Sequence, residues 1–246
     1  MSIRKILIYS PGAFQKYGHA YDYVSGLAAA LSQRDVQVHV LGWRGPQSLT
    51  SDIIEYKVKR IGIRVTRSCR RGLGVLGDII WGLEQVFVER HLVDIAYSIL
   101  RDSPNFYSIF ETFNYLAIKP LISEETLKGN YACIFHDTSF DSNHCALIPR
   151  LYKNILAKRP ARAILSHARF TYVHAEEMRK NLLKTLGFAT SSIEAKRVRV
   201  LPYGSPHPNT VNLLDFQESR LRLGLSLNEN VILVFGTVRS DKNYDL

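Results

Sequence analysis

Three short stretches of this 246-residue chain carry side chains suited to chemistry. In YACIFHDTSF, residues 131–140, His136 and Asp137 stand where an apolar run gives out. An imidazole can take or give a proton near neutral pH, and open α/β sheets place ligand contacts where a buried parallel strand ends. A satisfied surface histidine is the competing reading. In SPGAFQKYGHAYDY, residues 10–23, Gly12 and Gly18 lie between a strand-like and a helix-like run. Such a loop offers backbone N–H groups and the positive end of a helix to a phosphate or another anion. It is neither GxGxxG nor a P-loop, and Gly18 reads equally well as a plain loop glycine. In VILVFGTVRSDKNYDL, residues 231–246, a buried-strand pattern turns at Gly236 and is followed by two cations, Arg239 and Lys242.

Several kinds of chemistry are excluded by what these stretches lack. GxSxG, HExxH and Walker A patterns are absent, so hydrolase and ATPase readings have no support. His136, His144 and Cys145 match no zinc spacing, and no metal is expected. Cys69, Cys133 and Cys145 are an odd count without CxxC, which points to a reduced, cytoplasmic chain rather than a disulfide framework. At 46% hydrophobic and 22% charged, the composition is that of a folded globular protein, not a disordered one.

A net charge of +10 favours anionic partners. Part of it is concentrated in KVKRIGIRVTRSCRR, residues 57–71, with seven basic residues and no acidic one, followed by a helix-like segment carrying Ile79, Ile80, Trp81, Leu83, Val86 and Phe87. Basic charge beside an apolar helix suits an anionic membrane surface. A solvated charge run beside a helix packed on a sheet is the plainer reading. Nucleic acid would attract the same charge, but no recognition motif accompanies it, so none is expected as a partner.

The elements that must position these groups alternate along the chain. KILIYS reads as a strand closed by Pro11-Gly12, YDYVSGLAAALSQRD as a helix, and VQVHVLGW as a β-branched strand, which makes a βαβ unit. The alternation continues through a helix over 77–100, a strand in YACIFHD, a helix near 147–165, a strand in FTYVH, a helix over 175–187 and a β-rich run RVRVLPYG. The fold class expected is α/β, a Rossmann-like doubly wound parallel sheet. From Ser205 the pattern breaks into a proline-bearing connector, a short helix over 218–230 with a glycine stop, and the strand-like VILVF. The expected boundary therefore separates residues 1–204 from residues 205–246, an incomplete second Rossmann-like domain.

Taken in order, these pieces resemble glycosyltransferase family 4, whose members have the two-Rossmann GT-B architecture. YGHAYDYVSGLAAALSQRDVQVHVLG is similar to that family's first loop, helix and second strand, and IFHD to its strand-end histidine. FTYVHAEEMRKNLL resembles its V-x-S/H strand and helix, VRVLPYGSP its turn before the domain linker, and ILVFGTVRSDKNYDL the opening of its C-terminal domain.

The resemblance implies metal-independent, retaining transfer of a hexose from a nucleotide sugar to a glycan, lipid-linked or small-molecule acceptor, with no cofactor. Gly18, Arg239 and Lys242 would hold the donor diphosphate, and two fixed cations there would stabilise the charge that develops as phosphate departs. His136 would contact the transferred sugar or the acceptor hydroxyl, with His19, Tyr21 and Asp137 on the acceptor side. Arg239 is displaced from the place directly after the glycine, and Asn243 stands where the family has a glycine after the lysine. The resemblance also implies that the family's E-x7-E pair lies beyond Leu246, so that the 246-residue chain alone is expected to be inactive. The alternative from another class is a non-catalytic glycosyltransferase-like module that binds a partner or an anionic membrane surface, peripheral on the cytoplasmic side.

Overall fold

Short apolar runs, buried continuously over residues 38–43 and Tyr131–Ile134, alternate with helical stretches and build one parallel sheet. The computed structural model describes residues 4–15, 20–61, 74–102, 105–111, 115–122, 130–136, 158–202, 216–222, 224 and 226. The chain divides into two compact units, Met1–Gly204 and Ser205–Leu246.

In the first unit seven strands, β1 (Arg4–Tyr9), β2 (Val36–Trp43), β3 (Ile54–Val58), β4 (Phe106–Phe110), β5 (Tyr131–Ile134), β6 (Phe170–Val173) and β7 (Val198–Val200), form a sheet of order β3-β2-β1-β4-β5-β6-β7. Every neighbouring pair is parallel. Among the described residues the helices of this unit are α1 (Ala20–Ser32), α2 (Gly74–Asp102), α3 (Tyr115–Ile122), α4 (Arg159–His167), α5 (Glu176–Leu186) and α6 (Ile193–Arg197). The second unit contains α7 (Phe216–Arg222).

The strand order explains where the helices lie. From β1 to β2 the chain steps one way across the sheet, and from β3 to β4 it returns past β1. Right-handed crossovers in opposite directions cover opposite faces. Accordingly Ile8, Val38 and Val40 pack with Val24 and Ala28 of α1 and with Phe14. On the other face Leu7, Tyr9, Leu41, Phe110, Tyr131 and Cys133 pack against Leu92 of α2, Ile118 of α3, Ile164 of α4 and Leu182 of α5. The Rossmann-like, doubly wound α/β expectation holds, and the order reverses between β1 and β4, where such sheets open a crevice at their carboxyl ends.

Four described elements, β3, β4, α3 and the short α6, were not expected from sequence. Strand β3 is the edge strand and is only half-buried, with Glu55 and Lys57 paired at 2.8 Å, so charge hides its alternation. Strand β4 is five residues long with Ser108 buried in its middle, and α3 follows it directly in the chain. The helix expected near 147–165 is seen as α4 from Arg159, while residues 147–157 lie outside the described ones. Helix α5 stops at Gly187, whose φ of 72° is the left-handed conformation that glycine adopts freely, and Phe188 N–H closes the turn on Leu183 C=O at 2.9 Å.

Buried His39 of β2 gives the fold a pH dependence. Its Nδ1 lies 3.0 Å from Tyr56 Oη, and its ring meets Phe106 edge-on at 4.7 Å. Burial first, and the Lys5 ammonium second, hold its pKa below the ordinary 6.5. The unfolded chain then binds the His39 proton more readily than the folded one, so stability rises with pH across this range. The contribution is complete above about pH 6.5 and is lost as pH falls from there through the folded value. Urea midpoints should therefore fall between pH 7.5 and pH 5.5, and His39→Gln should flatten that slope; an unchanged slope in the variant would remove His39 from the account.

Candidate functional site

The parity of four strands carries one polar residue past the carboxyl end, onto the α1 side of the sheet. Ser10 follows β1, Glu111 follows β4, His136 comes two residues after β5 and His174 follows β6, while Leu201, which offers its carbonyl, follows β7. Backbone hydrogen bonds extend the ladders beyond the strands and fix these positions. Ser10 N–H donates to Leu41 C=O, Glu111 N–H to Tyr9 C=O and Phe135 N–H to Tyr172 C=O, each at 2.9 Å, and Leu201 N–H donates to Val173 C=O at 2.7 Å.

The loop after β1 is held against the loop after β2. Trp43 N–H donates to Pro11 C=O at 3.2 Å and Gln47 N–H to Phe14 C=O at 3.3 Å. At Gly45 a Cβ would run into the Phe14 carbonyl, so this approach requires glycine.

The side chains form a line. Ser10 Oγ donates to Glu111 Oε2 at 2.5 Å, Glu111 Oε1 faces His136 Nε2 at 2.5 Å, and His136 Nδ1 faces His174 Nε2 at 3.0 Å. His174 Nδ1 then meets Leu201 C=O at 2.9 Å. Tyr23, on the first turn of α1, sets its ring edge-on to both imidazoles, with centroids at 5.2 and 5.5 Å. Glu111 is 1% exposed, and the His136 side chain, at 14%, is the more open of that pair.

A carbonyl only accepts, so His174 Nδ1 is the donor to Leu201 C=O and its Nε2 is the nitrogen that faces His136.

A line of this kind can accept a proton at one end and pass one along with little rearrangement. A ligand oxygen reaching His136 must share Nε2 with Glu111 or Nδ1 with His174. Because the nitrogens engage in sequence and do not converge on a point, the arrangement is not a metal cage, and among the described residues no group of three or more His, Cys, Asp or Glu is placed to hold a metal ion. The Cys133 thiol is buried on the opposite face and burial pushes its pKa well up, so it is not a nucleophile for this site.

Of the residues singled out in the sequence, His136 is at the centre of the line. Tyr21 lies two residues before Tyr23 on α1, but its hydroxyl donates to Ser48 C=O at 3.0 Å, and Tyr23 is the α1 tyrosine that faces the histidines. Gly18, His19, Asp137, Arg239 and Lys242 lie outside the described residues. Ser10, Tyr23, Glu111 and His174 were not singled out. An acidic residue directly after the alternating FYSIF would have pointed to Glu111, had that run been read as a strand.

The chain matches no protein-family model and no curated protein.

Proposed function

We propose that this protein is a metal-independent, retaining glycosyltransferase of the GT-B type, in which the Met1–Gly204 unit binds the acceptor and Ser205–Leu246 opens the donor-binding half. The observation that carries this reading is the proton-sharing line of Ser10, Glu111, His136 and His174 at the carboxyl edge of the sheet, where its strand order reverses. The order of family-like motifs along the chain supports it.

In the reaction, the bond between the anomeric carbon and the donor phosphate oxygen breaks as the acceptor oxygen bonds to that carbon. His136 contacts the transferred sugar or the acceptor hydroxyl, whose proton passes to the Glu111–His136 pair as the new bond forms. Of the residues that the family resemblance assigns to the donor diphosphate, Gly18 would offer its backbone, and Arg239 and Lys242 the fixed positive charge that substitutes for a metal ion. Donor and partner are a nucleotide sugar and a glycan or lipid-linked acceptor, met in the cytoplasm.

The test is transfer of labelled sugar from a panel of nucleotide hexoses by the native protein purified from its own cells. Turnover is expected with the anomeric configuration retained and undiminished by a chelator. Turnover that a chelator abolishes would sink the metal-independent mechanism. Absence of turnover with every donor would leave the non-catalytic module as the better reading.

A further inference from the structure

Helix α2 changes character halfway along a single outward face. Leu76, Ile80, Leu83 and Phe87, spaced i, i+4, i+7 and i+11, are 56%, 39%, 56% and 72% exposed. One row at that spacing lies on one side of a helix. The same row continues in the second half as Arg90, Asp94, Ser98 and Arg101, all exposed, with Arg90 Nε bonded to Asp94 Oδ1 at 3.0 Å. The opposite side of the helix carries Val88, Leu92, Ala96 and Leu100 into the core. The sheet thus already has its covering face of α2, and the exposed stripe in the first half is surplus to it. Four large apolar side chains in register are more than the scattered exposure usual on a soluble surface.

Charge identifies the occupant. The run of seven basic residues ends three residues before α2 begins, and no acidic residue interrupts it. Its described end, with Lys59, Arg60 and Ile61 exposed, is tied to the apolar half of α2 by Arg60, which donates to Gln85 Oε1 at 3.2 Å. Residues 62–73 lie outside the described ones. A second copy of this chain would bring the same cationic flank, and another net charge of +10, against itself. A nucleic acid would satisfy the cations and leave the stripe in water. An anionic bilayer satisfies both, with apolar side chains in the headgroup boundary and cations against lipid phosphates. Among the described residues no helix is long and apolar enough to cross a membrane, so the helix would lie in the surface.

We propose that the first half of α2 is an interfacial anchor that seats this protein on an anionic lipid surface through Leu76, Ile80, Leu83 and Phe87. The inference is independent of glycosyl transfer and stands or falls by itself.

The experiment is flotation of the full chain with vesicles of phosphatidylcholine alone or mixed with phosphatidylglycerol. Binding is expected to the mixed vesicles and to weaken as salt is raised. The Leu83→Glu/Phe87→Glu double variant should lose at least about tenfold in binding, since burial of one such side chain is worth that much. Its urea midpoint should match the parent, and Ser98→Ala on the polar half should bind normally. Three results would overturn the proposal: no binding to mixed vesicles at low salt, undiminished binding of the double variant, or a concentration-dependent dimer that the double variant abolishes. The last would show that a second copy covers the stripe.

Discussion

Urea unfolding of the Glu111→Ala variant is expected to show about 2–4 kcal/mol less stability than the parent, with an unchanged m value. Glu111 is buried, accepts from Ser10 Oγ at 2.5 Å and faces His136 Nε2 at 2.5 Å. Alanine removes the acceptor of Ser10 and the carboxyl group facing His136, and leaves both polar groups behind in a buried site, which is the costly way to break such contacts. Glu111→Gln is the informative companion. Its amide oxygen can still face His136 and its nitrogen can donate to Ser10, so the shape survives. Ser10 loses its acceptor oxygen, however, and an intermediate loss of about 1–2 kcal/mol follows. If the alanine variant lost less than about 1 kcal/mol, as an ordinary surface change does, these side chains would not be acting as one hydrogen-bonded unit.

The same residue shows what was legible in the sequence and what was not. Long or strongly patterned runs announced themselves: KILIYS, the helix after it, VQVHVLGW, and the helix ending at Gly187 all lie where their periodicity puts them. The doubly wound class followed from their alternation. Strand β4 escaped because it is short and carries buried Ser108 among its apolar residues, and with it went the means of noticing Glu111 as a strand-end residue.

His136 was visible because it follows the uniformly buried YACI, whose burial makes the next polar residue conspicuous. Its partners Glu111 and His174 are 25 and 38 positions away in the chain, and no local spacing encodes that meeting. His174 lay in a stretch already picked out for its family likeness, yet its role depends on strand parity placing it beside His136, which only the β5–β6 register supplies. The apolar half of α2 was misleading in a different way. Its first residues read as a helix ready to pack on the sheet, whereas the packing side chains are Val88, Leu92 and Ala96, and the stripe over Leu76–Phe87 faces outward.

If the proposed transfer reaction is right, His136→Ala is expected to lower kcat by about 10²–10⁴-fold while leaving KM for the nucleotide sugar nearly unchanged. The His136 side chain keeps 14% of its surface exposed while that of Glu111 is fully enclosed, so of this pair the imidazole is the group a ligand can reach. The donor diphosphate is assigned to Gly18, Arg239 and Lys242, so removal of the imidazole should leave ground-state donor binding intact and show in the chemical step. A purely structural role predicts a different pattern, in which the loss of activity tracks the loss of folded protein. His174→Ala separates the two. It removes the hydrogen-bond partner of His136 Nδ1 and the contact to Leu201 C=O, but leaves the Glu111–His136 pair in place. The imidazole that meets the substrate is then still oriented by Glu111, and the fall in kcat should be smaller than for His136→Ala at a comparable cost in stability. Equal kinetic losses in the two variants, or retention of kcat in His136→Ala within about twofold, would show that the line supports the fold at this edge and takes no part in moving the acceptor proton.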